Sequence, residues 1–302
     1  MYVERASAVL PLAVRIPWPY LGRMHGTIEK VSGTYDYARL DASGEGERAA
    51  ARMEARALEP ASQGLFEALV APYLEPSPRS VLELGAGPGA LARRIVAARD
   101  GTRVVATDKS DVMLRVAERL AALAPGRERL TFARWAVEEA IPAGVEGPHD
   151  LVVSSVMVPY LDDATLLSLL TKLRAVLAPG GRLLFVEQDL QTVSLHHERY
   201  SEVRELFVRS GERSLAFVPL RLRRLMREAG YRPLPVRSHL WQSTVFGPYL
   251  RDLISRAADE ALAAGRIDAG RALAIVSELE SASATGDFLY GLVYHAMAAE
   301  VA

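Results

Sequence analysis

The sequence predicts an α/β fold, a mostly parallel sheet with helices on both of its faces. Three observations predict it. The run Val81-Leu82-Glu83-Leu84-Gly85-Ala86-Gly87-Pro88-Gly89 reads as a buried strand that turns through glycines into a helix. Beyond it, short apolar segments alternate with segments at helical spacing, a βαβαβ rhythm. Half of the 302 residues are hydrophobic, enough to bury a large core between such layers.

The elements follow in order. Glu45 to Leu58 is alanine- and arginine-rich and predicts one helix, and Leu65, Leu69 and Tyr73 continue at helical spacing. Val81 to Leu84 is the first strand. The helix from Ala90 carries Leu91, Ile95 and Val96 on one face and ends at Asp100-Gly101. Arg103 to Thr107 is a strand, and Val112 to Leu123 a helix capped by Ser110 or Asp111. Leu130 to Arg134 and Leu151 to Ser154 are strands. Leu166, Leu169, Leu170, Leu173 and Leu177 mark an amphipathic helix, capped near Asp162 or Asp163. Pro179-Gly180-Gly181 turns the chain into a strand over Arg182 to Glu187. Leu220 to Ala229 is a helix stopped by Gly230, and Leu234 to Trp241 a strand. Leu250, Leu253, Ile254, Ala257 and Ala261 predict a helix, Ala269 to Ser281 a second, and Phe288 to Ala298 a last strand.

Composition sets limits. The net charge of −1 supplies no field for nucleic acid or for an acidic membrane. The cluster Arg221, Arg223, Arg224 and Arg227 reads as the solvated face of a helix. The absence of cysteine excludes disulfides, thiolate metal sites and a cysteine nucleophile. Met1 to Leu21 is mildly apolar, but charges and Pro11, Pro17 and Pro19 interrupt it. It predicts neither a spanning helix nor a signal peptide, and the expectation is a cytoplasmic protein.

The glycine loop carries the function. Glycine tolerates positive φ and lets a ligand approach the main chain, and such a loop between a parallel strand and a helix is where nucleotide-like ligands bind. Gly85-x-Gly87-x-x-Ala90, followed by Asp108 at the next strand end, also satisfies a dinucleotide fingerprint, so an NAD(P)-dependent oxidoreductase stays open at this point. Four features favour another ligand. Glu83 places a carboxylate in the strand end, about 80 residues of largely helical sequence precede that strand, Pro179-Gly180-Gly181 precedes the fifth strand, and a helical stretch precedes the last one.

These residues resemble the class I S-adenosylmethionine-dependent methyltransferases, over residues 35 to 300 and with the motifs in the family's order. Within that class the chain is most similar to the small-molecule group that includes the quinone C-methyltransferases. The resemblance implies a Rossmann-like seven-stranded sheet with its last strand antiparallel, and a cofactor, S-adenosylmethionine, across the C-terminal strand ends. It implies three parts: an N-terminal helical cap over residues 1–60, a core over 61–245 and 286–302, and a helical insert over 246–285 that shapes the acceptor pocket.

Residue by residue, the resemblance implies that Gly85, Ala86, Gly87 and Gly89 cradle the methionine part, with Glu83 near its ammonium. Asp108 would accept from the ribose hydroxyls, and Lys109 and Met113 would lie beside adenine. Ala136-Val137-Glu138 aligns where the family often has Gly-Asp-Ala, so Val137 departs from the aspartate that holds the adenine amino group. Ser154, Ser155 and Met157 would floor the methyl-transfer pocket. Arg52 resembles a residue on a helix that closes over the cofactor carboxylate, and Tyr35-Asp36-Tyr37 a pattern that covers the cofactor.

Methyl transfer from a sulfonium needs alignment and exclusion of water more than covalent help. A hydroxyl acceptor also calls for a general base. His196 and His197, after the fifth strand, are the candidates, and Tyr160 is a candidate for positioning the acceptor. Cysteine-dependent arsenite methylation and carboxylate-clustered metal-dependent catechol methylation find no match here, and no metal is expected. The stretch Ser154-Ser155-Val156-Met157 lacks the Asn-Pro-Pro-Tyr of amide and nucleobase methylation. The expectation is methylation, at oxygen, of a small and partly apolar organic acceptor by a monomer or homodimer without nucleic acid or membrane partners. A methyltransferase fold that catalyses cyclisation or isomerisation is the other reading.

Overall fold

The computed structural model describes residues 40–196 and 218–302. Two helices come first, α1 (Gly46–Leu58) and α2 (Pro60–Leu69). Alanine, arginine, glutamate and leucine favour α1. It stops because Glu59 precedes a proline and takes an extended conformation, while Pro60 serves as the first residue of α2.

Strand β1 (Ser80–Leu84) is flanked on both sides by parallel neighbours, β2 (Arg103–Asp108) and β4 (His149–Ser155). Its apolar residues divide between the sheet's two faces. Val81 joins one core with α2 and α3 (Ala90–Ala98), whereas Leu82 and Leu84 join the other with α5 (Asp163–Leu173). The sheet continues outward through β3 (Leu130–Arg134) beyond β2, and through β5 (Leu177–His196) beyond β4. Helix α4 (Asp111–Ala121) follows β2, and its first turn is doubly capped. Ser110 Oγ accepts from Met113 N at 3.2 Å, and Asp41 accepts from Ser110 Oγ at 2.5 Å and from Asp111 N at 2.9 Å.

The long last strand β8 (Leu289–Val301) runs antiparallel to β5, as the resemblance implies. The sheet order is β3-β2-β1-β4-β5-β8-β6, with β7 also on β8. The expected seven strands become eight among the described residues because the edge partner of β8 is divided. Strands β6 (Tyr231–Pro233) and β7 (Arg237–Ser243) occupy successive stretches of the same edge. Pro235, which has no N–H to give the ladder, lies in the gap. Helix α6 (Val218–Glu228) precedes β6, and α7 (Pro248–Ala263) and α8 (Ala269–Thr285) fill the stretch between β7 and β8.

Two boundaries differ from expectation. The helical period runs to Leu177, but α5 ends at Leu173 and Leu177 pairs instead with His149. Pro179-Gly180-Gly181 is then a bulge within β5, where the register jumps from His149/Leu177 to Leu151/Arg182. Strand β5 also runs on past Glu187 to His196, because β8 continues beside it as far as Leu289. Of the arginine cluster on α6, Arg221 and Arg224 form ion pairs with Asp163, which joins α6 to α5.

No helix among the described residues is long and apolar enough to cross a membrane.

Candidate functional site

The site lies at the C-terminal ends of β1, β2, β4 and β5, where an open α/β sheet binds its ligands. Gly85 and Gly87 turn the chain out of β1 with φ of +63° and +54°. A side chain there would be both strained and crowded. A Cβ on Gly85 would meet Met157 Sδ at 3.1 Å, and one on Gly87 would meet Met53 Sδ at 2.9 Å. So the loop lies between α1, which carries Met53, and the segment after β4, which carries Met157.

Asp108 closes the loop from β2. Its Oδ2 accepts from Gly87 N at 2.8 Å and its Oδ1 from Ser110 N at 2.9 Å. Each oxygen keeps further lone-pair capacity for a hydroxyl. Burial raises the Asp108 carboxyl above its usual range, against these two hydrogen bonds.

Glu83 is 3 % exposed, and its Oε2 meets no protein donor among the described residues. Burial raises its carboxyl to about 8, with the Arg93 guanidinium opposing. A buried carboxyl with a vacant oxygen is costly unless something arrives to pair with it. The buried indole N–H of Trp135, just after β3, likewise meets no acceptor.

The floor is the segment after β4. Val156 is held at φ +58°, a region that a β-branched residue seldom adopts. Its N–H donates to Val186 O at 2.9 Å. The next two N–H groups, of Met157 and Val158, donate to Oε1 of Glu187 at 3.1 and 3.2 Å. Glu187 is itself fully buried, which raises its carboxyl to about 8.

Loop, floor and α1 enclose a cavity of about 360 Å³. Its far wall comes from β5, α7 and β8. Tyr249, Tyr290 and Tyr294 line it, each buried, with Gln188, Arg56 and Arg256. Trp241 packs edge-on against the rings of Tyr249 and Tyr290, with centroids 5.6 and 5.9 Å away, and fixes them.

The structure brings together many of the expected residues. Arg52, Glu83, Gly85, Ala86, Gly87, Asp108, Lys109, Val137, Glu138, Ser155 and Tyr160 all line this cavity. Five others stand off it. Gly89 caps α3 at φ +76°, packed near Phe132 and Ala117. Met113 is buried in the small core with Leu40, Ala49 and Val116. Ser154 donates to Leu84 O within the sheet, and Ala136 turns the chain after β3. His196, the expected base, is the exposed last residue of β5 and pairs with Leu289, off the cavity wall. Tyr35, Tyr37 and His197 lie outside the described residues.

The sequence reading passed over the three tyrosines, Gln188 and Arg56. Tyr290, Leu292 and Tyr294 alternate along one strand face, which is the signal that could have found the two tyrosines of β8.

A parallel sheet reversed at β8, with a glycine loop after β1 and an acid at the end of β2, defines an α/β domain built for a nucleoside cofactor. Residues 81–181 match the methyltransferase domain family. That stretch holds the glycine loop, Asp108 and the floor of the cavity, and it is a methyltransferase domain whose cofactor is S-adenosylmethionine. The dinucleotide reading of the loop ends there. A 3-amino-4-hydroxybenzoate 4-O-methyltransferase of Streptomyces cremeus is 29% identical over 174 residues, 55% of this chain. The match spans about half, 46%, of that relative's length. Among solved structures, a Pyrococcus horikoshii protein is 14% identical over 79% of this chain and 92% of its own, with a TM-score of 0.46. A phosphoethanolamine N-methyltransferase of Haemonchus contortus, solved with S-adenosylhomocysteine, is 18% identical over 76% of this chain and 52% of its own, with a TM-score of 0.43.

Proposed function

We propose that the chain methylates an oxygen of a small, partly apolar organic acceptor. The observation that carries this reading is the continuity of the cavity. One enclosure joins the glycine loop to a chamber walled by aromatic rings and hydroxyl groups. The matched stretch of the Streptomyces cremeus relative, whose name specifies methyl transfer to a ring hydroxyl, supports oxygen as the acceptor atom.

When bound, S-adenosylmethionine supplies an already activated methyl group. The residues present suit it. Oε2 of Glu83 is placed to receive an ammonium, the oxygens of Asp108 to receive ribose hydroxyls, and Arg52 to meet a carboxylate. Val137, buried near the cavity wall, offers no carboxylate to the adenine amino group; Glu138 or a backbone carbonyl would accept from it instead, while the indole N–H of Trp135, a donor only, would suit a ring nitrogen. Val156 to Val158 hold the acceptor's approach in one place, and the rings of the far wall exclude water. Of the segment expected as an N-terminal cap, the described helix α1 brings Arg52, Met53 and Arg56 to the cavity beside the core of 61–245 and 286–302, and the insert over 246–285 shapes the acceptor chamber. Tyr249, Leu253 and Arg256 already bring the insert to the cavity wall.

The test is transfer of labelled methyl from S-adenosylmethionine to a panel of hydroxylated aromatic compounds, with the product's site of methylation read by mass spectrometry. O-methylated product is expected. Product formed without label, or label found only on nitrogen or carbon, overturns the reading.

A further inference from the structure

The cavity holds no histidine among its described wall residues, and beyond Glu83, Asp108 and Glu138 the carboxylate in its wall is Glu260 on α7. What it does hold is a set of proton donors. The side-chain amide of Gln188 donates to the hydroxyl oxygen of Tyr294 at 2.6 Å and also hydrogen-bonds the hydroxyl of Tyr249. A phenol that accepts from an amide still has its own proton to give elsewhere. One side chain thus anchors both hydroxyls, and the proton of Tyr294 points away from it.

Three arginines line the cavity near these hydroxyls, two of them beside Asp252. Arg52 and Arg56 on α1 both act on Tyr249 as nearby cations. From α7 come Arg256, paired with Asp252 at 3.1 Å, and Glu260, while Arg52 lies 3.7 Å from the same Asp252. From β5 comes Glu187, on the opposite face of the sheet from Gln188. Burial keeps Tyr249 and Tyr290 protonated well above neutrality, so they remain donors and do not serve as bases.

We infer that Tyr249, Tyr294 and Arg56 form an oxyanion-holding nest, and that the acceptor is an acidic ring hydroxyl, a phenol or enol, bound as its oxyanion. The inference rests on the O-methylation reading and specifies its substrate class. On binding, the hydroxyl proton goes to solvent and the oxygen keeps its electron pair. The reacting oxygen then needs no general base, which suits a chamber of donors with no histidine among its described walls. Aliphatic alcohols, which do not ionise near neutrality, are excluded as acceptors.

The experiment titrates 4-nitrophenol with the full-length protein loaded with S-adenosylhomocysteine and follows the phenolate absorption against pH. The bound phenol is expected to ionise at a midpoint at least one pH unit below the free compound, a tenfold or larger preference for the anion. Tyr249→Phe and Tyr294→Phe are each expected to return the midpoint at least partway. S-adenosylhomocysteine affinity and thermal unfolding report whether these variants are folded. An unshifted or raised midpoint in the unsubstituted protein, or no binding at millimolar phenol, overturns the inference without reference to any variant. The same phenols then enter the labelled-methyl assay. A lowered midpoint without O-methyl product refutes the O-methylation reading and leaves the nest standing. O-methyl product with an unshifted midpoint does the reverse.

Discussion

Glu54 on α1 grips Arg93 on α3 with both carboxylate oxygens, at 2.7 and 2.6 Å from the same guanidinium nitrogen. The other terminal nitrogen of Arg93 donates to Pro88 O at 2.6 Å. One arginine therefore ties the covering helix to the glycine loop. The pair is 15 % and 17 % exposed, so little water screens it. Glu54→Ala is expected to cost about 2–3 kcal/mol, below the range for a fully buried pair that loses one partner. S-adenosylhomocysteine should also bind more weakly, because α1 carries Arg52 and Met53 to the cavity. Urea unfolding and calorimetry measure the two effects, and an unchanged unfolding midpoint would show that this pair does not anchor α1.

Two glycines with similar backbones should behave differently. Gly85 has φ +63° and faces Met157, whereas Gly101 has φ +78° and no atom within 4 Å of the place a Cβ would take. Alanine at either site pays the left-handed backbone cost of about 1 kcal/mol. Only Gly85→Ala also crowds Met157, whose side chain must give by a few tenths of an ångström. It should weaken S-adenosylhomocysteine binding at least about tenfold, since an added 1.4 kcal/mol suffices for that. Gly101→Ala should leave binding unchanged. Equal affinities in the two variants would mean that the loop does not touch the cofactor.

The legible part of this site is the part that is local in sequence. Glu83, Gly85, Gly87 and Asp108 lie on one strand–turn–helix–strand unit, so residue type and spacing alone bring them together. The other half is tertiary. Tyr290 and Tyr294 reach the cavity only because β8 reverses along β5 and places Tyr294 opposite Gln188, and Tyr249 reaches it from α7. The strand itself can be read from its apolar run, but the face it turns to the ligand depends on that register. His196 shows the converse error. It stood next to an expected strand end at Glu187, and the strand instead continues and carries it past the cavity. The division of the edge strand at Pro235 was likewise written in one residue, but its consequence depended on which strand lay beside it.

Glu187 sets a pH dependence of folding. Burial raises its carboxyl from 4.5 to about 8, so the folded protein keeps a proton that the unfolded chain has released. The stabilisation is complete below about pH 4.5 and is lost as the pH rises to about 8. The slope is at most ~1.4 kcal/mol per pH unit for one group. Glu187→Gln still accepts from Met157 and Val158 through its amide oxygen but does not titrate. Urea unfolding of the cofactor-free protein at pH 5.5 and pH 8 should therefore show a smaller loss in the variant than in the wild type. Equal losses would mean that Glu187 is ionised in the folded state throughout.

Glu83 should couple cofactor binding to proton release. In the free protein burial raises its carboxyl to about 8, so at pH 7 most molecules carry the proton. A cofactor ammonium beside Oε2 favours the carboxylate and drives the proton out. The heat of S-adenosylhomocysteine binding at pH 7 should then vary with the ionisation enthalpy of the buffer, with a fraction of a proton released per molecule bound. As the pH rises toward about 8 the carboxyl is increasingly ionised in the free protein, and the release should shrink. Glu83→Gln should abolish this release at pH 7 and also weaken binding, since an amide cannot answer the ammonium's charge. Heats that do not depend on the buffer in the wild type would place the ammonium elsewhere, and would leave the buried carboxyl of Glu83 as a structural group that keeps its proton in both states.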